Sequence, residues 1–504
     1  MPTKEQCSLL HQLYLSTWET VFGNWMSRYG CPFMFGDENV PELSVSISAL
    51  CVQLDSWMIT ATETSSPKPY TRVVKLASDD ERESKIRQSL DLAIWSYAAR
   101  WLPLFPSATA NGPDAQAIAR KLWREARVDM LRVINRPCYR SMLTLYLFGF
   151  TPIPDGITDE EELDGVTAQV CIQAALQQVY SLRVRQKSIQ FSGSKFSPTV
   201  MTRTFTSSPD RSFIIAENIV HWATLTFDTS ASLTLSSRPM LSSGILSYTD
   251  LSWSLVKSCA ELFHAMTQEW HAIGLPMTDA QASQVTASGN AFKLLLWKLC
   301  AVFREALRDG HDEAVVNKIH GTILDAIDQF NRTYRTPLDA CYRRMSAFSQ
   351  ETKLRYHDLE LHITLAILLM TDAVETQHSN LLTPLIDART NAELHGFKAL
   401  VFGQETMYSL RHGSGPPSDP RSTDEVNEVV SVPLLSIDPY PHHAVASVQL
   451  LRRAIDRDLA TNKLDEEAHA KLLAVLARTL ELLPDSSKSV QAARKQALSQ
   501  NAEG

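Results

Sequence analysis

The chain has 504 residues, of which 44% are hydrophobic and 21% charged, and carries a formal net charge of -8. This is the composition of a folded protein with one large core or two to three packed sub-domains, and it excludes disorder over most of the length. A mildly acidic balance also excludes a surface built wholly for a phosphate backbone, because such binding depends on Lys and Arg releasing counterions.

Apolar residues at Leu9, Leu13, Val21 and Trp25 predict a helix over 5–29, stopped at Gly30-Cys31-Pro32, where glycine accepts a left-handed end and proline cannot continue the ladder. A second apolar stretch covers 44–60, and the segment 62–72 reads as a loop. Residues 79–102 form a helix capped by Asp79, with Ile86, Leu90, Ala93, Ile94, Tyr97 and Trp101 at helical spacing. The next helix, 114–133, carries Ile118, Leu122, Ala126 and Met130 on one stripe, and 138–150 is apolar on its inward side. A helix starting at Thr158 or Asp159 runs to about Arg185, with Glu160, Glu161 and Glu162 in the first turn, where the backbone dipole favours negative charge.

The Ser/Thr/Pro-rich stretch 187–211 is a connecting loop. Helices follow at 212–236, 250–273, 290–308, 312–332 and 338–376; in the third, Phe292, Leu295, Leu296, Leu299, Val302 and Phe303 form a wide apolar stripe. Strand-like alternation is scarce, so the fold class expected is all-α, a large multi-helix bundle with long loops. The expected organisation is a helical body over 1–410, a proline-rich mobile loop over 411–443, a C-terminal helical pair over 444–483 and a disordered tail over 484–504.

No reactive constellation emerges. The eight cysteines contain no CxxC pair and are expected to be reduced and mostly buried, acting as small hydrophobes. Cys259, Cys300 and Cys341 are equally spaced, but their flanks share little, so no repeat is assigned. P-loop, GxGxxG, GxSxG and HExxH patterns are absent; Gly193-Ser194-Lys195 sits in a Ser-rich loop without the phosphate-binding pattern.

The nearest metal-like group is His357, Asp358, Glu360 and His362. Its two histidines are five apart and so about 140° apart on a helix, which suits one solvated and one core histidine better than two ligands of one ion. His442-His443 falls in the proline-rich loop. The carboxylate runs Asp79-Asp80, Glu160 to Glu162 and Glu466-Glu467 fall at helix starts, and Arg183, Arg185 and Lys187 at a helix end, where caps and dipoles account for them. Trp18, Trp25, Trp95, Trp101 and Trp222 read as core. No catalytic, cofactor-binding or metal residue is expected, and no cofactor.

Three stretches go beyond a generic helical protein. LWREAR over 122–127, followed by PCYRSMLTLYL over 137–147, resembles the helix pair of the fungal-specific transcription factor domain, the middle homology region of zinc-cluster regulators. VTAQVCIQAALQQVYSL over 166–182 is similar to that domain's next helix, and His221-Trp222-Ala223 through Asp228 to Arg238-Pro239 to its apolar helix with an internal Asp and a terminal Arg-Pro. The opening LLHQLYLSTWETVFGNWMSRYGCPF and the later KLLLWKLCAVFREALRDG are similar to one activator group of that family.

The resemblance implies a nuclear transcription regulator whose helical body responds to a small-molecule effector or to a protein and controls a metabolic or secondary-metabolite gene set. The six-cysteine zinc module of those regulators has no counterpart here, so direct DNA binding is not carried over. The partners expected are transcription machinery or a DNA-binding protein, with no membrane. Two alternatives stand beside this: a helical scaffold without a transcriptional role, and a terpene-cyclase-like helical enzyme. For the enzyme, Asp79-Asp80-Glu81-Arg82 has no second aspartate-rich motif to match it.

Overall fold

The computed structural model describes residues 2–63, 71–106, 114–186, 211–234, 239–241, 244–273, 276–375, 379–412 and 428–502. Thr3 caps α1 (Lys4–Tyr14) by accepting from Gln6 N at 3.2 Å, while Gln6 Oε1 accepts from Thr3 N at 2.9 Å. A wider π turn, Leu15–Glu19, joins α1 to α2 (Thr20–Trp25). Across it Tyr14, Trp18 and Phe22 stack with ring centroids 5.4 and 4.7 Å apart, and the column continues through Phe227 to Tyr146. Glu19, in the same turn, accepts from Ser48 N at 2.8 Å and so holds the start of α3 (Ile47–Glu63).

α4 (Thr71–Ala98) begins before the expected position, so Asp79 lies within a helix and is not its cap. α5 (Ala115–Ile134) and α6 (Tyr139–Gly149) pack on α4 and on each other. The start of α6 meets Asp55 of α3: its carboxylate accepts from Tyr139 N at 2.7 Å and Arg140 N at 3.2 Å, and pairs with Arg140 Nε at 2.7 Å. Arg140 also grips Glu83 of α4, so one guanidinium ties three helices.

The helix expected from Asp159 to Arg185 is two. α7 (Asp159–Leu163) is a single turn capped by Thr158, and Gly165 stands at φ 112°, a region that glycine alone enters readily. The chain restarts as α8 (Ala168–Gln186). The expected loop over 187–211 lies outside the described residues except for its last residue, Arg211, which opens α9 (Arg211–Thr234).

α10 (Leu251–Ile273) precedes the longest helix, α11 (Asp279–Arg308), which begins at a Thr278 capping box well before residue 290. Its first half is small and polar yet buried, because the side chains bond within the fold: Thr286 Oγ1 donates to Ser283 O at 2.9 Å and Asn290 Nδ2 to Thr286 O at 2.8 Å. α12 (Glu313–Phe330), a second π turn over Asn331–Arg335 and α13 (Thr336–Arg343) lead to α14 (Gln350–Glu375). α11 and α14 form the centre. A Cβ on Gly289 would lie 2.7 Å from Leu359 Cδ2, so glycine is what lets these two helices approach.

After α15 (Ile386–Glu405), β1 (Met407–His412) pairs antiparallel with β2 (Glu428–Pro433), Met407 opposite Pro433 and His412 opposite Glu428. This is the one sheet among the described residues. α16 (Pro441–Ala460), α17 (Glu466–Leu482) and α18 (Lys488–Ala502) complete the chain.

The all-α class therefore holds, with corrections at the C-terminus. Residues 428–443 form a strand, a helical turn and a helix start, not a mobile loop; 413–427 lie outside the described residues. The tail expected to be disordered contains α18, and the helical pair is a trio. The C-terminal helices share one continuous core with the body, from Leu9 to Ala493. Among the described residues, no helix is long and apolar enough to cross a membrane.

Candidate functional site

α14 is buried around most of its circumference, and this decides where its polar residues go. His357 and His362 are both buried despite their angular separation, so the expectation of one solvated histidine is corrected: both directions off this helix lead into protein. Glu360 leaves the group and pairs with Arg335 Nη1 at 2.9 Å. His443, expected in a loop, stands in the first turn of α16, with its Nδ1 2.8 Å from His362 Nε2.

Three residues that the hydrophobic pattern of the sequence hides complete the cluster. Lys293 of α11 places Nζ 3.3 Å from His362 Nδ1, 3.9 Å from Asp358 Oδ2 and 3.7 Å from the centre of the Trp25 ring. Asp438 lies with Oδ2 3.9 Å from His357 Nε2 and accepts from Tyr440 N at 2.6 Å. Arg100, in the turn after α4, donates to Pro439 O at 3.1 Å and lies over the rings of Tyr97 and Trp101 at 3.9 and 4.3 Å. Trp297, one turn on from Lys293, donates to His362 O at 3.0 Å.

The hydrogen-bond directions follow from these contacts. An ammonium on Lys293 makes His362 Nδ1 an acceptor, so His362 carries its proton on Nε2 and donates it to His443 Nδ1. His443 then carries its own proton on Nε2, which has no hydrogen-bond partner. Lys293, His362 and His443 line a cavity of about 20 Å³, with Trp25, Phe227 and Tyr440 among its aromatic walls. That volume suits about one water molecule.

Burial dominates the protonation of the cluster. It pushes Lys293 down to about 8 against the pull of Asp358, and raises Asp358 to about 6 and Asp438 to about 7. His357 and His442 are each lowered to about 4, again chiefly by burial. His362 and His443 are held well below the ordinary histidine value by burial first and by neighbouring positive groups second.

The other expected features take structural places. Asp465 caps α17 with Glu466 and Glu467 in its first turn, and Arg183 pairs with Glu217 at 2.9 Å; Lys187 lies outside the described residues. All eight cysteines are free, six of them buried, and Cys7 and Cys138 half-buried. Asp228 accepts from Met240 N and Leu241 N, both at 2.9 Å, and faces Lys298 electrostatically; Arg238 lies outside the described residues. Asp228→Ala is expected to lower stability by about 3 kcal/mol, since two amides lose their acceptor and the buried Lys298 loses the nearest-acting of its counter-charges, ahead of Asp250 and Glu305. A urea titration checks this.

No group of three or more His, Cys, Asp or Glu suited to a metal ion occurs among the described residues. No family model, no curated protein and no solved structure matches this chain.

Proposed function

We propose that the chain is a transcription regulator acting through its helical body, as the resemblance to the fungal-specific transcription factor domain implies. The observation that supports this most is the fold of the segment carrying the strongest resemblance. Trp222 anchors α9 by donating to Trp25 O at 3.3 Å, and the Asp228 carboxylate receives the chain just past Pro239. Two residues of the pattern, Trp222 and Asp228, thus hold α9 and the segment after Pro239 in place, which supports reading them as structural parts of such a domain.

In this reading the protein works in the nucleus through a DNA-binding partner or the transcription machinery. A small effector or a protein shifts the balance between two helix arrangements by binding one of them better. The test compares transcripts in the host with and without the gene, alongside DNA-shift assays of pure protein alone and with nuclear extract. A defined gene set is expected to change, with a sequence-specific shift only in the presence of extract. Unchanged transcripts would remove the proposal, and a stable cytosolic partner would then favour a scaffold.

A further inference from the structure

The contact between His362 and His443 is a joint between two parts of the chain. His362 belongs to α14, at the centre of the body. His443 belongs to the segment 434–443, which leads from the hairpin into α16, and α16 in turn packs on α17 and α18. With 2.8 Å between two ring nitrogens, one of them must offer a lone pair. The other nitrogen of His362, Nδ1, lies 3.3 Å from the Lys293 amine and 3.4 Å from Asp358 Oδ1, and facing the ammonium it serves as an acceptor.

We propose that the His362–His443 contact is a proton-operated latch, which holds residues 434–443 and the start of α16 against α14 and releases them when the pair takes up a proton. An imidazolium at either residue sets N–H against N–H, or N–H against an ammonium. Either arrangement weakens the contact, with only Asp358 Oδ1, 3.4 Å from His362 Nδ1, placed to accept the displaced proton, and in this proposal the 434–443 segment is the side that moves. The cavity beside the pair admits about one water, which is sufficient to deliver a proton.

The surrounding charges set the direction. From α11 the pair faces Lys293. From α14 it has His357 and Asp358 as neighbours. The 434–443 segment adds Asp438, Tyr440 and His442, and Arg100 and Tyr97 approach Pro439 from the end of α4. Four buried imidazoles are held neutral, so release lets them gain protons as pH falls below the ordinary histidine value. Asp358 and Asp438 oppose this, because their carboxyls are protonated more readily inside than outside. Four imidazoles outweigh two carboxyls, and acid therefore favours release.

The latch goes beyond the transcriptional reading and does not depend on it, because the test needs only the pure full-length chain. Hydrogen exchange is followed by mass spectrometry from about pH 7.5 to about pH 5, corrected for intrinsic exchange, across the ordinary range of histidine titration. Peptides covering 434–460 are expected to lose protection by up to about a hundredfold per pH unit, the response of two net protons, while those of α5 and α6 keep theirs. The double substitution His362→Gln and His443→Asn keeps a neutral donor and acceptor at the joint and is expected to remove most of that response. Uniform loss of protection across all helices, or no loss at 434–460, overturns the latch. So does a full response in the double variant. If the variant fails to fold, the map of the unaltered protein decides.

Discussion

Asp55→Ala is expected to lower the unfolding free energy by about 3–5 kcal/mol, the cost of stripping a buried charge pair of one partner. Asp55 and Arg140 are both buried, and the carboxylate also satisfies two backbone N–H groups at the start of α6. Alanine leaves those amides without an acceptor and the guanidinium with only Glu83. Glu83 cannot compensate fully, because its side chain is 37% exposed and water screens it. Glu83→Gln therefore serves as the control, with an expected loss of about 1 kcal/mol or less. Urea midpoints at an unchanged slope give both values. Equal, small losses in the two variants would show that the three-helix tie contributes little.

Asp358→Ala is expected to cost about 3 kcal/mol near neutral pH, because Lys293 keeps its charge inside the protein with no carboxylate at its side. The loss depends on pH in a definite sense. Lys293 is a base whose value is lowered on folding to about 8, from an ordinary 10.5. Its burial cost is present at and below the folded value and is relieved as pH rises from there towards the unfolded one. The deficit of Asp358→Ala should therefore shrink on going from about pH 7 to about pH 9.5, across the range in which a lysine with that shift loses its proton. Adding Lys293→Met, which keeps the unbranched stem and removes the charge, should restore most of the stability at neutral pH. A deficit equal at both pH values and unrelieved by the second substitution would show that Lys293 is not the group left unpaired.

Most helices were legible because their apolar residues fall on stripes, as in α5 and α11. What escaped had physical reasons. Lys293 and Lys298 sit within an apolar run, and pattern reading treats a lysine there as solvated; both are buried. Pro439 and Pro441 suggested a loop, yet Pro441 occupies the first turn of α16, where a missing N–H costs nothing. That placed His442 and His443 in the wrong setting and hid their meeting with His362. The first half of α11 lacks a stripe because its buried hydroxyls and amide bond to the helix itself or to neighbours, as Ser288 does to Tyr334 at 2.8 Å. Among the described side chains of α18, only Val490 and Ala493 are buried apolar anchors. Pairing with a distant segment holds it in place, and local sequence carries no trace of that.

That pairing bears on how the chain is made. Asp155 N donates to Ser486 O at 2.7 Å, Lys488 N donates to Ile153 O at 2.9 Å, and the Lys488 ammonium reaches Glu162 at 2.9 Å. Tyr97 and Arg100 likewise wait for Pro439, more than 300 positions downstream. A nascent chain leaving the ribosome has made α5 to α8 long before the strap that fastens them exists. Such closure between remote segments slows folding and leaves apolar faces open meanwhile. Residues 486–488 act as a late clasp, so a stop codon ahead of them would be felt some 330 residues back, around the turn at Pro154.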